Sequence, residues 1–386
     1  MQLTHDFAQH FPELCRPTVG EEFPEARMLI RNDALAAELG CPGIDVEDLL
    51  GKEGFAMAYS GHQFGQFSPI LGDGRSLLLG ELGGYDIHLK GSGRTPFTQL
   101  GADGRLPLIP ALREYVISEF LHTMGVPTTR VLAVIATGER LTTPRGTAGL
   151  PFPPGAVLVR VARHHIRIGT FQCAAMFNPE LVQRLESYAA QRSGITGPLF
   201  PAVVERQATL VAQWMRLGFV HGALNTDNVH IAGDAIDFGP CGFMDAYDPE
   251  ACFSSVDTGK RYAFNKQPAI TQWNLARLAE ALTAENAEEH LRRFPDLYAH
   301  AYEREMTDAL GPRWEEVLEE CGDYPTALGH VVPRNHALQD ALNRAEAGDM
   351  EAFNDIVEDL RDPYAQGKKS GITSPGDTGF TSYCGT

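Results

Sequence analysis

The sequence predicts an α+β protein of two lobes, a strand-rich first half and a helical second half facing each other across a cleft. Three observations carry that expectation. Short alternating apolar runs cluster before residue 170, amphipathic stretches of helical period dominate after residue 179, and a loop rich in Asp and Asn interrupts the helical half. With 386 residues, 43% of them hydrophobic, the chain can bury a sizeable core. The expected division is an N-terminal extension over 1–55, a strand-rich lobe over 56–170, a helical lobe over 171–361 and a flexible tail over 362–386.

Charge and composition narrow the function classes. A formal net charge of −18 argues against a general nucleic-acid or anionic-membrane binder, because such partners require a basic face to displace counterions. Partners are expected to be neutral or to meet a locally basic cleft. No apolar run approaches membrane-spanning length, and residues 1–7 have the features of neither a signal peptide nor a transit helix, so the cytoplasm is the expected compartment. The 7 cysteines include no Cys-x-x-Cys pair, which points away from a zinc ribbon and from a disulfide framework. Cys384 stands apart near the end of a Gly-, Ser- and Thr-rich tail, as a candidate redox thiol.

Along the chain, the first clear element is a helix over 33–39, capped by Asn32 and stopped by Gly40. Leu71-Gly-Asp-Gly-Arg then opens into a strand over 76–81, followed by a second over 85–90 in which Ile87 and Leu89 alternate. A glycine turn between strands can lie over phosphates, since glycine permits close backbone approach and positive φ; this singles out Gly72 and Gly74, although a plain hairpin turn would look the same. Lys90 closes its strand. A helix is expected over 110–124, opened by Pro110, with the apolar stripe Leu112, Val116, Ile117, Phe120, Leu121 and Met124. Glu114 lies off that stripe and can reach a strand lysine, so Lys90 with Glu114 is the expected ion pair; as surface charges the two would contribute little. Strands are expected over 129–136 and 156–161, the second carrying Arg160. Arg163, His164, His165 and Arg167 follow as the most basic local cluster. Arginines beside a glycine loop suit a triphosphate, whose oxygens match the guanidinium fork, whereas the adjacent histidines are left out of the site. Helices are expected over 179–190, 201–217, 270–282, 285–310, 333–347 and 350–360.

The loop over 221–239 ends in Asp-Phe-Gly. Asn228 and Asp237 are separated by two short apolar pieces, the layout of a β-hairpin that would bring the two side by side. Hard oxygen ligands of this kind suit a magnesium ion that also holds nucleotide phosphates. Protein kinases combine His-Arg-Asp-Leu-x-x-x-Asn with Asp-Phe-Gly. Residues 221–228 have the same length and keep the His, the Leu and the final Asn, but Ala223 stands where the catalytic Asp would be. A carboxylate, Asp227, instead precedes the Asn. Either the chain is a dead kinase or it performs different chemistry. Each piece alone would also make an ordinary turn; together they favour a site.

With these pieces in place, the chain resembles the selenoprotein O family of kinase-like protein adenylyltransferases. The resemblance is carried by Gly61-His-Gln-Phe-Gly, Leu71-Gly-Asp-Gly-Arg, Leu89-Lys-Gly-Ser-Gly-Arg-Thr-Pro-Phe, Arg113-Glu-Tyr, His165-Ile-Arg, Asn225-Thr-Asp-Asn and Ile236-Asp-Phe-Gly-Pro, nearly continuously over 59–282. It implies a bilobal protein-kinase-like fold that holds ATP in the reverse sense, so that AMP passes to a Ser, Thr or Tyr hydroxyl of a protein substrate and pyrophosphate leaves. By that resemblance Asp227 is the proton acceptor, and Asn228 and Asp237 bind Mg2+ or Mn2+. Gly72, Gly74, Arg75, Lys90, Asp103, Gly104, Glu114, Arg160, Arg167 and Asp237 form the nucleotide site. Asp103 and Gly104 rest on the resemblance alone, with Ala102 inserted relative to the usual spacing from Lys90. The segment over 302–331 is shorter than in relatives. The family keeps a redox-active residue in the tail, and a regulatory disulfide from Cys384 to Cys252 is expected. Two alternatives stay open: a phosphotransferase acting on small molecules or proteins, of which the small-molecule type is disfavoured by Ala223, and a catalytically silent ATP-binding scaffold, which the shortened segment favours.

Overall fold

The computed structural model describes residues 2–142, 152–376 and 380–382. Ten strands build the first half: β1 (Cys15–Val19), β2 (Arg27–Arg31), β3 (Glu53–Met57), β4 (Gly61–Gln63), β5 (Gln66–Ser68), β6 (Ser76–Leu82), β7 (Tyr85–Lys90), β8 (Leu106–Pro107), β9 (Arg130–Arg140) and β10 (Pro154–Ala162). Eight form one antiparallel sheet in the order β1-β3-β6-β7-β10-β9-β2, with β8 paired to β10, while β4 and β5 make a separate hairpin. Residues 1–55, expected as an extension, are woven into that sheet. They supply its two edge strands, β1 and β2, and the helix Asp33–Glu38 packs beside β9 and brings Leu35 and Ala36 into one core cluster with Leu77, Ile87 and Val159. Asn32 caps this helix as expected, its side chain accepting from Leu35 N–H.

The other face packs on the helix Leu108–Thr123, whose buried Leu112, Val116, Phe120 and Leu121 join the main core. That helix starts two residues before Pro110. The proline therefore sits in the first turn, where its missing N–H forfeits no intrahelical bond. The helical half comprises Ile168–Ala175, Pro179–Arg192, Leu199–Arg216, Gln267–Leu282, Ala287–Leu310, Asn335–Glu346 and Glu351–Arg361 as its principal helices. The helix Ile168–Ala175 was not expected, because eight residues hold too few turns to show a period. None of the helices is long and apolar enough to cross a membrane, among the described residues.

Two expectations are corrected. The stretch between Asn228 and Asp237 turns, with Gly233 N–H donating to His230 C=O at 3.1 Å, but its arms do not pair with each other. One arm bonds the 166–168 segment (Ile168 N–H to Val229 C=O, 2.9 Å) and the other bonds Thr129 N–H through Ala235 C=O at 2.9 Å, so each finds its backbone partner in a different part of the chain. The tail, expected to be flexible, is anchored over its described residues. Asp359 accepts from Lys369 and Ser370 N–H, Arg334 Nε donates to Ile372 C=O, and the Ile372 side chain is buried. Cys384 lies outside the described residues.

Candidate active site

Between the sheet and the helices lies a cleft of about 1320 Å³, lined from the sheet side by Gly72, Gly74, Arg75, Lys90, Asp103 and Gly104. Arg160 on β10 and Glu114 on the helix packed behind the sheet join the same lining, and the helical half contributes Arg167, Asp227, Asn228 and Asp237. Every site residue singled out from the sequence therefore reaches one space.

Its centre is a charge network. Glu114, on the helix behind the sheet, accepts from Lys90 Nζ at 2.8 Å and from Arg160 Nε at 2.8 Å. Asp237 bridges the same two cations, accepting from Lys90 and from Arg160 Nη2 at 2.8 Å, with Arg167 at 4.0 Å. Lys90 and Glu114 are thus a buried pair rather than two surface charges. Burial alone would raise both carboxyls; Lys90, Arg160 and Arg167 hold Asp237 well below the usual carboxylate range, and Arg160 with Lys90 holds Glu114 below its own. The backbone of Asp237 lies at φ 65°, in the left-handed region that Asp and Asn tolerate better than other residues with a side chain. His221 fixes the approach to it, since a carbonyl can only accept: its Nε2–H donates to Ile236 C=O at 2.8 Å.

The glycine loop is anchored from beneath. Asp73 accepts from Met57 N–H and from buried His88 Nε2, both at 3.0 Å, which holds the turn between β3 and β6. Gly72 takes φ 61° there, and a Cβ on it would stand 2.5 Å from the Phe97 ring, so only glycine fits. Arg167, aimed at Asp237, is stacked 4.3 Å over the buried Tyr59 ring.

Asp227 is buried, and burial pushes its carboxyl up to about 6. Its Oδ1 has no hydrogen-bond partner, while Oδ2 faces Gln63 Nε2 at 3.4 Å. Gly61 packs against the same carboxylate, where a Cβ would meet Oδ1 at 2.6 Å. Asn228 donates its Nδ2 to Ala223 C=O at 2.9 Å, a bond that orients its side-chain oxygen as the free acceptor. The donor set fits a hard divalent cation: Asn228 and Asp237 offer oxygen ligands, and among the described residues no group of three or more His, Cys, Asp or Glu could hold a metal, so water or phosphate oxygens would complete a shell.

The structure adds residues that sequence reasoning did not place in the site. Gln63 and Tyr59 belong to stretches whose spacing carries no chemistry, and Arg113 lines the cleft one residue before Glu114. Of the basic cluster, Arg167 reaches the site, while His164 and His165 are buried away from the cleft lining, His165 against Asp86.

A family model described as Protein adenylyltransferase SelO matches residues 2–360. The chain is 39% identical to Protein nucleotidyltransferase YdiU of Corynebacterium efficiens, over 98% of this chain and 95% of that one. It is 38% identical to the protein of the same name in Pseudarthrobacter chlorophenolicus, over 98% and 97%. Those alignments extend over 476 and 489 positions, more than the 386 residues here, so these relatives carry length that this chain lacks. A match over nearly the whole chain, on a kinase-like fold whose cleft gathers the lysine, glutamate and Asp-Phe-Gly aspartate, places the protein in the SelO family of protein adenylyltransferases.

Proposed function

We propose that the protein transfers AMP from ATP to Ser, Thr or Tyr hydroxyls of protein substrates and releases pyrophosphate. The observation that carries this reading is the position of Asp227: a buried carboxylate with an unpartnered oxygen in the cleft, next to Asn228, in a loop whose usual base position is Ala223. The acceptor hydroxyl gives its proton to Asp227, its oxygen bonds the α-phosphorus, and the bond from that phosphorus to the pyrophosphate oxygen breaks. Arg160, Arg167 and Lys90 orient the phosphates, and Arg75, Gly72 and Gly74 cover them from the loop. Asn228 and Asp237 hold Mg2+ or Mn2+, which when bound neutralises the charge that builds on the phosphate oxygens.

The test is transfer from ATP labelled at either the α- or the γ-phosphate. Label from the α-position alone is expected, and Asp227→Asn should lower its rate by about a hundredfold or more, the usual worth of a positioned base. Label from the γ-position would indicate a kinase with a displaced base. ATP binding without any transfer would indicate a scaffold.

We also propose that oxidation joins Cys252 and Cys384. Supporting this, Ser382 N–H donates to Phe253 C=O at 2.7 Å and Ser255 N–H donates to Ser382 C=O at 3.0 Å, which ties the tail to the segment next to Cys252. Peroxide treatment should yield a linked pair of tryptic peptides that dithiothreitol separates. Two unlinked peptides after full oxidation would remove the idea.

A further inference from the structure

The hairpin β4–β5 leaves the sheet and ends on the helical half, beside Asp227. Its His62 N–H donates to Thr226 Oγ1 at 2.9 Å, and Phe64 N–H donates to the Tyr262 hydroxyl at 3.0 Å. That hydroxyl in turn donates to Asn225. The tip is therefore held at the cleft, with Gln63 and Phe64 in the lining and Gln63 Nε2 3.4 Å from the carboxylate. Its outward face is apolar, with Phe64 42% and Phe67 47% exposed.

Next to the tip, Trp273 on the helix Gln267–Leu282 lies between two guanidinium groups, Arg261 at 5.0 Å and Arg277 at 4.8 Å from the ring, with the His62 ring edge-on at 5.2 Å. Stacking on an aromatic face orients an arginine without neutralising it. Arg261 makes no ion pair among the described residues and its Nε is buried without a hydrogen-bond partner; Arg277 pairs with Glu280, which is largely exposed. Phe64 lines the cleft, but Arg261, Trp273 and Arg277 stand outside it. Their charge is therefore not committed to the nucleotide. On a chain of net charge −18, this is a positive, aromatic patch beside the hairpin that borders the proposed base.

We propose that this patch docks the protein acceptor and selects segments in which acidic side chains flank the modified hydroxyl. The inference rests on the protein-acceptor reading above. The guanidinium forks of Arg261 and Arg277 would take carboxylates, while Phe64 and Phe67 cover apolar groups beside them. Complementary charge of this kind sets partner choice and encounter rate more than total affinity. Long-range attraction at such a half-buried patch also weakens as salt is raised.

The experiment uses the full chain and two sets of synthetic peptides, each with a central Ser, Thr or Tyr, flanked by Glu in one set and by Lys in the other. Binding of fluorescein-labelled peptides is followed by anisotropy, and transfer by α-labelled ATP. The Glu-flanked set should bind more tightly and show a kcat/KM higher by about tenfold. Combined R261E and R277E should abolish or invert that preference at unchanged ATP affinity, and Arg261→Lys should retain most of it. Equal binding of both sets, binding of neither at millimolar concentration, or an acidic preference untouched by the charge reversal would overturn the proposal. The two readings fail separately: acidic preference in binding without α-label transfer removes the adenylyl-transfer reading and keeps the dock, whereas equal transfer to both sets does the reverse.

Discussion

Replacing Asp237 by Asn is expected to abolish AMP transfer, lowering the rate by about a thousandfold, the scale of losing a preorganised electrostatic contact at the reacting phosphate. Asn is the informative substitution because it keeps the volume and tolerates the left-handed backbone at φ 65°, whereas Ala would add strain. The variant leaves Lys90 and Arg160 with Glu114 as their one shared carboxylate, and takes the charge facing Arg167 away. In the nucleotide-free protein this should cost about 1–3 kcal/mol, since the amide keeps the volume and part of the hydrogen bonding. Added ATP supplies negative charge to the same cations, so binding in the presence of a chelator should survive while turnover is lost. Calorimetry in EDTA together with α-label transfer separates the two effects, and a fully active Asp237→Asn protein would remove the proposed metal site.

Glu114→Ala should be the most destabilising single change in the cleft. Glu114 is the only carboxylate that the helix Leu108–Thr123 presents to both Lys90 and Arg160, and its loss leaves two buried cations sharing Asp237 alone. A loss of about 3–5 kcal/mol in urea unfolding is expected, and a smaller one of about 1–3 kcal/mol for the isosteric Glu114→Gln. The acid limb adds an independent check. Although burial alone would raise the Glu114 carboxyl, Arg160 and Lys90 hold it below its ordinary value. Its contribution is therefore complete above the unfolded carboxyl pKa of about 4.3 and is lost as pH falls through the lower folded value. The Gln variant lacks that contribution, so its stability should fall less steeply on acidification than that of the wild type. Identical acid limbs would mean that the pair stabilises nothing in the folded protein.

The boundaries of the long helices were legible to within a few residues because each follows from a 3.6-residue apolar period, and the short helix Asp33–Glu38 was legible from its cap Asn32 and stop Gly40. Lys90 and Glu114 were legible as a pair since one ends a strand and the other lies on the next helix, 24 residues on. Less could be read where the partner is distant. Arg160 was expected to face phosphate, and it also clamps Glu114 from 46 residues away and Asp237 from 77. Gln63 reaches Asp227 across 164 positions, a contact that no local pattern announces.

Residue order alone establishes the chemical groups and their succession: a glycine turn before two strands, a strand lysine, a helical glutamate, and the Asn-Thr-Asp-Asn and Asp-Phe-Gly pieces. These depend on residue type and short spacing, which the chain states directly. That the arms around Gly233 pair with the 127–129 and 166–168 segments rather than with each other follows from the packed chain and not from local pattern. The packed chain alone shows that residues 1–55 complete the sheet and that the tail is pinned by Asp359 and Arg334. The physical reason is the same in each case. A backbone N–H or a buried charge must find a partner, and which of several distant partners it takes depends on how the whole chain packs.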